Sequence, residues 1–117
     1  MRLYHYQLGL PNANYPRNKF PLSYTAHARF ELKKDFFKYG LSRSLMPKAI
    51  SPNISKIIEV GIKENGELGK ILYRVPVSQD YDICLVVKIP SGVVKTAWIN
   101  HKADTHSTLQ IEKYTVL

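Results

Sequence analysis

Residues 92–109 read Gly-Val-Val-Lys-Thr-Ala-Trp-Ile-Asn-His-Lys-Ala-Asp-Thr-His-Ser-Thr-Leu, and the first half of this stretch decides how the rest must be arranged. Val93, Val94, Thr96 and Trp98 are β-branched or aromatic and follow the turn signal Pro90-Ser91-Gly92, so the segment reads as a strand. Alternation sends Val94, Thr96, Trp98 and Asn100 to one face and Val93, Lys95, Ala97 and Ile99 to the other. The first set is a polar and aromatic row that runs into a loop holding His101, Asp104 and His106. A purely structural strand has no need of that row, so it marks the candidate functional face.

Working outward, Tyr81–Ile89 is apolar on both faces, the pattern of a central strand. Before it, Ile54, Lys56, Ile58, Val60 and Ile62 alternate with their neighbours, and Leu68–Val77 returns. Between them Asn65-Gly66 supplies the left-handed pair of a tight type I′ hairpin. Further back, Ser23 or Thr25 can cap a helix in which Ala28, Leu32, Phe36 and Tyr39 form a helical stripe, with Gly40 as its stop. Leu3–Leu10 can form a short strand. The expectation is one α+β domain spanning 1–117, an N-terminal helical segment followed by a four-stranded antiparallel β-meander sheet. Its parts are an irregular proline-rich loop at 11–22, a helix at about 24–39, the meander at about 54–100 and a C-terminal tail at 101–117.

At 117 residues, 44% apolar and 22% charged, the chain suits a single core and not a disordered tract. Its 17 Lys and Arg against 9 acids leave a net charge of +8, a field that attracts polyanions and makes nucleic acid the leading partner class. The single cysteine, Cys84, excludes a disulfide framework and reads as a small buried hydrophobe in a reducing compartment. The opening Met1-Arg2-Leu3-Tyr4-His5-Tyr6 has no long apolar segment, and no run of about 18 apolar residues occurs. Neither secretion nor a membrane partner is therefore expected, and the cytoplasm is the expected place of action. A phosphate-cradling glycine loop, a nucleophile elbow and a paired-ligand metal pattern are all absent, so no cofactor and no metal is expected.

His27 stands in the first turn of the helix with Glu31 four residues on, and imidazole is the side chain suited to proton transfer near neutrality. With that helix and the Thr96/Trp98 strand in place, the chain resembles the small metal-independent ribonucleases grouped as barnase, EndoU, colicin and RelE-like folds. Within them it is most similar to the colicin D tRNase domain. The resemblance rests on His27-Ala28 in the helical segment and on Thr96-Ala97-Trp98-Ile99-Asn100 in the last strand, with Asp104 downstream. It departs from the family where Tyr24, Thr25 and Ala26 replace lysines before the histidine, and where Thr96 replaces serine. Basic groups would then come from Arg29, Lys70 or Arg74. The segment from Asp104 through Tyr114 also resembles the tail of small phage-encoded proteins.

What the resemblance implies is an endoribonuclease acting on single-stranded RNA or a tRNA loop by 2′-hydroxyl transesterification. It would be a toxin or a phage host-takeover factor, working in the host cytoplasm if phage-encoded, with an antitoxin or immunity protein as partner. Such cleavage needs a proton-transfer group, a phosphate clamp and hydrogen-bond donors. The catalytic candidates are His27 as acid or base, Arg74 as clamp, Thr96 as donor and Trp98 as base stack. Arg29, Lys70, Lys95, Asn100 and His106 are the nucleic-acid-binding candidates. The alternatives are a non-catalytic nucleic-acid-binding module, or a phage inhibitor of a host protein anchored by Tyr15, Phe20 and Trp98.

Overall fold

The strand read first, Val93–His101, lies inside a mixed sheet with a partner on each side. The computed structural model describes residues 1–105 and 110–117. Its strands in chain order are β1 (Arg2–His5), β2 (Phe20–Pro21), β3 (Ser23–Tyr24), β4 (Ala49–Ile50), β5 (Ile57–Ile62), β6 (Leu68–Pro76), β7 (Tyr81–Lys88) and β8 (Val93–His101). The α-helix α1 (Ala26–Lys38) falls between β3 and β4. Six strands make the main sheet in the order β1-β5-β6-β7-β8-β3, and β2 and β4 form a separate two-stranded ribbon. Among the described residues no helix is long and apolar enough to cross a membrane.

This overturns the expected helix followed by a four-stranded meander. β1 precedes the helix and pairs antiparallel with β5, while β3 runs parallel to β8 through Ser23–Val93 and Tyr24–Val94. The stretch taken as an irregular loop at 11–22 also ends in a paired strand, Phe20 opposite Ile50. The tail is likewise joined to the body, because Thr115 N–H donates to Leu3 O at 2.8 Å. The strand pairings are two to four residues long and join positions 28 to 70 apart. Tertiary register specifies them, and no periodicity is long enough to announce them.

The helix begins where Thr25 caps it, its hydroxyl accepting from Ala28 N at 3.0 Å, and it ends before Gly40, whose φ of 66° is the left-handed stop. Ala28, Leu32 and Phe36 are buried against one face of the sheet. That face carries Val60, Ile71, Tyr73, Ile83, Leu85, Val87, Ala97 and Ile99, all buried. Burying a side chain the size of Phe36 or Leu32 contributes about 1.5–3 kcal/mol each.

The β5–β6 turn is a correction of detail. Lys63 N–H donates to Glu67 O at 2.8 Å and Gly66 N–H to Lys63 O at 2.9 Å, so three residues, 64–66, form the loop in place of a two-residue type I′ turn. Gly66, at φ 86°, takes a left-handed position.

Candidate functional site

β8 hands its side chains to two different environments. A bulge between Val94 and Thr96 in the β7–β8 register leaves Lys95 as the extra residue, after which Ala97 and Ile99 face α1. Thr96, Trp98 and Asn100 face the other way, opposite Val86, Cys84 and Asp82. One strand further, Arg74 lies opposite Cys84, so Arg74, Cys84 and Trp98 form a row across the face away from the helix.

Arg74 is 8% exposed. Its Nε donates to Asp82 Oδ2 at 3.0 Å, one terminal nitrogen donates to the Asp104 carbonyl, and the other to His101 O at 3.2 Å. Asn100 Nδ2 also donates to Asp104 O, at 3.3 Å. The guanidinium therefore holds the 101–104 turn against the sheet, and a phosphate could reach these nitrogens only by displacing protein acceptors. Asp82 Oδ1 lies 3.5 Å from Lys102 Nζ, an ion pair without hydrogen-bond geometry that leaves this buried oxygen unbonded among the described residues. Burial pushes the Cys84 thiol up to about 12, with Arg74 acting against the rise and Asp82 and Asp104 adding to it.

The helix start is fastened to β8 just before Thr96. Thr25 N–H donates to Val94 O at 3.1 Å, and the Thr25 hydroxyl donates to Lys95 O at 3.3 Å. At the other end, Ile99 N–H donates to Asp35 Oδ2 at 2.9 Å. His27 and Asp35 are eight residues and about 80° apart on the helix, with Asp35 on the flank nearer the buried stripe and His27 on the exposed side. His27 to Asp35 spans about 12 Å along α1, and Lys95 to Ile99 about 13 Å along β8. α1 therefore runs along β8, tied to it at Lys95 through Thr25 and at Ile99 through Asp35. His27 is exposed, and Glu31 pairs with Lys34 at 3.6 Å, so the histidine is not committed to the carboxylate expected for it.

The candidates read from sequence thus fall into separate groups. Lys95 is exposed at the β8 bulge, where Thr25 ties down the start of α1, and His27 is exposed two residues after Thr25. Thr96, Trp98 and Asn100, all half-buried, share the Arg74 face. Lys70 lies on that same face but two rows away, opposite Lys88. Arg29 lies on the opposite flank of α1 from His27. His106 lies outside the described residues. His5 and His101 turn out to be structural: His5 Nδ1 accepts from Gln7 N and His101 Nδ1 from Ala103 N, both at 3.2 Å.

A second feature was not assembled from sequence. Arg29 and Lys33 on α1 face Arg43 and Lys48 across a cleft of about 460 Å³, also lined by Tyr24 and Met46 and by no acidic residue. Arg43 and Lys48 sit in a stretch that reads only as a proline- and serine-bearing turn, and the one visible signal was the i, i+4 pair Arg29–Lys33. No family model, curated protein or solved structure matches this chain. Among the described residues no three His, Cys, Asp or Glu side chains gather to hold a metal ion.

Proposed function

We propose that the protein is an endoribonuclease whose proton-transfer group is His27, acting on single-stranded RNA or a tRNA loop in the cytoplasm. The observation that carries this reading is the double hydrogen bond from Thr25 to the Val94 and Lys95 carbonyls. It ties the first turn of α1, which carries the exposed His27, to β8 just before Thr96 and Trp98. In the reaction the 2′-oxygen bonds to the adjacent phosphorus, the P–O5′ bond breaks, and protons leave the 2′-hydroxyl and reach the 5′-oxygen. In this reading His27 makes one of these transfers, Thr96 donates a hydrogen bond to a phosphoryl oxygen, and Lys95 supplies positive charge. Trp98 gives a base a ring to stack on, an interaction worth about 1–3 kcal/mol. Arg74 acts here as a positioning residue that holds the 101–104 turn. A toxin or phage host-takeover role, with an antitoxin or immunity protein as partner, follows from the resemblance to the barnase, EndoU, colicin and RelE-like group.

The test is incubation of wild-type and His27→Ala protein with tRNA and single-stranded RNA in EDTA. Fragments ending in 2′,3′-cyclic phosphate from the wild type alone support the nuclease. Retained RNA binding without cleavage by either protein moves the function to a nucleic-acid-binding module, the reading that the acid-free basic cleft favours.

A further inference from the structure

The cleft between α1 and the 43–48 segment concentrates four cations without compensation. Among the described residues the ion pairs are Lys34–Glu31, Arg74–Asp82 and Lys102–Asp82, so Arg29, Lys33, Arg43 and Lys48 all lie outside them. The walls are held in place independently of any ligand: Tyr24 Oη donates to Pro47 O at 2.6 Å and Leu22 N–H to Lys48 O at 2.9 Å. Burial raises the Tyr24 phenol well above its ordinary range, with Arg29 acting against the rise, so at neutral pH the tyrosine adds no negative charge to the cleft. Like charges collected around one fixed concavity repel one another, and an anion placed among them relieves that repulsion.

Phe30 supplies the link to the proposed reaction centre. It is 61% exposed on α1, and its position on the helical wheel falls between His27 on one flank and Arg29–Lys33 on the other. An exposed aromatic beside a basic groove is the arrangement by which single strands are held without sequence preference: cations follow the backbone and a ring carries a base.

We infer that the Arg29–Lys33–Arg43–Lys48 cleft is a phosphodiester subsite that holds the backbone of single-stranded RNA beside the strand segment reaching His27. This rests on the ribonuclease reading for its substrate class. Its test is separate, because it uses RNA that cannot be cut.

The probe is a short, fluorescently labelled, 2′-O-methylated single strand, with affinity measured by anisotropy between about 50 and 200 mM salt. The variant is Arg29→Gln, Lys33→Gln, Arg43→Gln and Lys48→Gln together, with each wall also changed alone as the pairs 29/33 and 43/48. The control changes Arg2, Lys63, Lys88 and Lys113 to Gln. These are exposed residues outside the cleft, and the control carries the same change in net charge, from +8 to +4.

The expected result is that log K against log salt becomes shallower by about 0.7 for each phosphate contact removed, up to about 3 for the four. Each wall pair should show part of that change, and the control almost none. Equal weakening in the control overturns the inference in favour of a diffuse field. An unchanged slope in the cleft variant overturns it as well, and retained cleavage in that variant would leave the nuclease standing without the cleft. Loss of binding only in the cleft variants, with no cleavage by wild type, upholds the cleft and ends the nuclease reading. If the fourfold variant fails to fold, the two pairs decide the matter.

Discussion

Replacing Arg74 by Met separates a tether from a phosphate clamp. The side chain is 8% exposed, and its nitrogens serve Asp82 and the carbonyls of His101 and Asp104. Removing one partner of a buried pair costs about 3–5 kcal/mol, because the other charge is left in a poor solvent. Asp82 keeps 15% of its side chain exposed and has Lys102 at 3.5 Å, which places the loss near the lower end, about 3 kcal/mol. For a chain of this size that lowers Tm by roughly 12 °C. Denaturant titration of wild type, Arg74→Met, Asp82→Asn and the double variant forms a thermodynamic cycle. The double variant removes both charges and should be more stable than the sum of the single losses by more than about 1 kcal/mol. Arg74→Met within about 0.5 kcal/mol of wild type, combined with a collapse of RNA binding, would refute the tether and restore Arg74 as a ligand group.

Other outcomes follow from single features. Thr25→Ala removes the helix cap and the tie to Lys95, so it should cost about 1–2 kcal/mol and slow RNA cleavage, while Thr25→Ser keeps both; urea melts and cleavage rates check this. Gly92 has φ 78°, and a Cβ there would run into the Pro21 carbonyl, so Gly92→Ala should lose at least about 2 kcal/mol where β3 joins β8. Cys84 should stay inert to a disulfide reagent at pH 8 except through unfolding, and labelling at the rate of the unfolded chain would contradict its burial. Burial, together with the hydrogen bond to Glu59 and its charge, raises Tyr114 to about 12, and burial also raises Tyr15, Tyr24 and Tyr73. A folded-state pKa above the unfolded value near 10 means this stability is complete below about pH 10 and is lost as pH rises from there. Stability measured from pH 8 to 11 should therefore fall only in the upper part, and less steeply in Tyr114→Phe.

What the sequence made legible was what local chemistry controls. The cap at Thr25, the stripe Ala28–Leu32–Phe36 and the stop at Gly40 depend on neighbours within a few positions, and each was visible as spacing. β1 and β3 were not legible as parts of the sheet, since a strand of two residues such as Ser23–Tyr24 has no period and exists only because Val93–Val94 lies beside it. The site divides along the same line. Alternation separated Thr96, Trp98 and Asn100 from Ala97 and Ile99, but it wrongly grouped Val94 with the first set, because the bulge at Lys95 turns Val94 to the Val87 side in the core. No pattern, however, tells that Arg74 lies under the 101–104 turn, or that Arg43 and Lys48 return to face Arg29 and Lys33. Those facts belong to the path of loops, which sequence marks only as proline, serine and glycine.

The bond from Thr25 to Lys95 joins positions 70 apart, and that separation orders the folding of the molecule. β5 to β8 pair with their chain neighbours through short turns, so they can assemble before any long loop has to close. β1, β3 and the start of α1 can only dock afterwards, onto strands made later than themselves. A chain emerging during synthesis therefore carries His27 long before it owns Thr96. On the proposed nuclease reading, activity is withheld until the last segments of the sheet are in place.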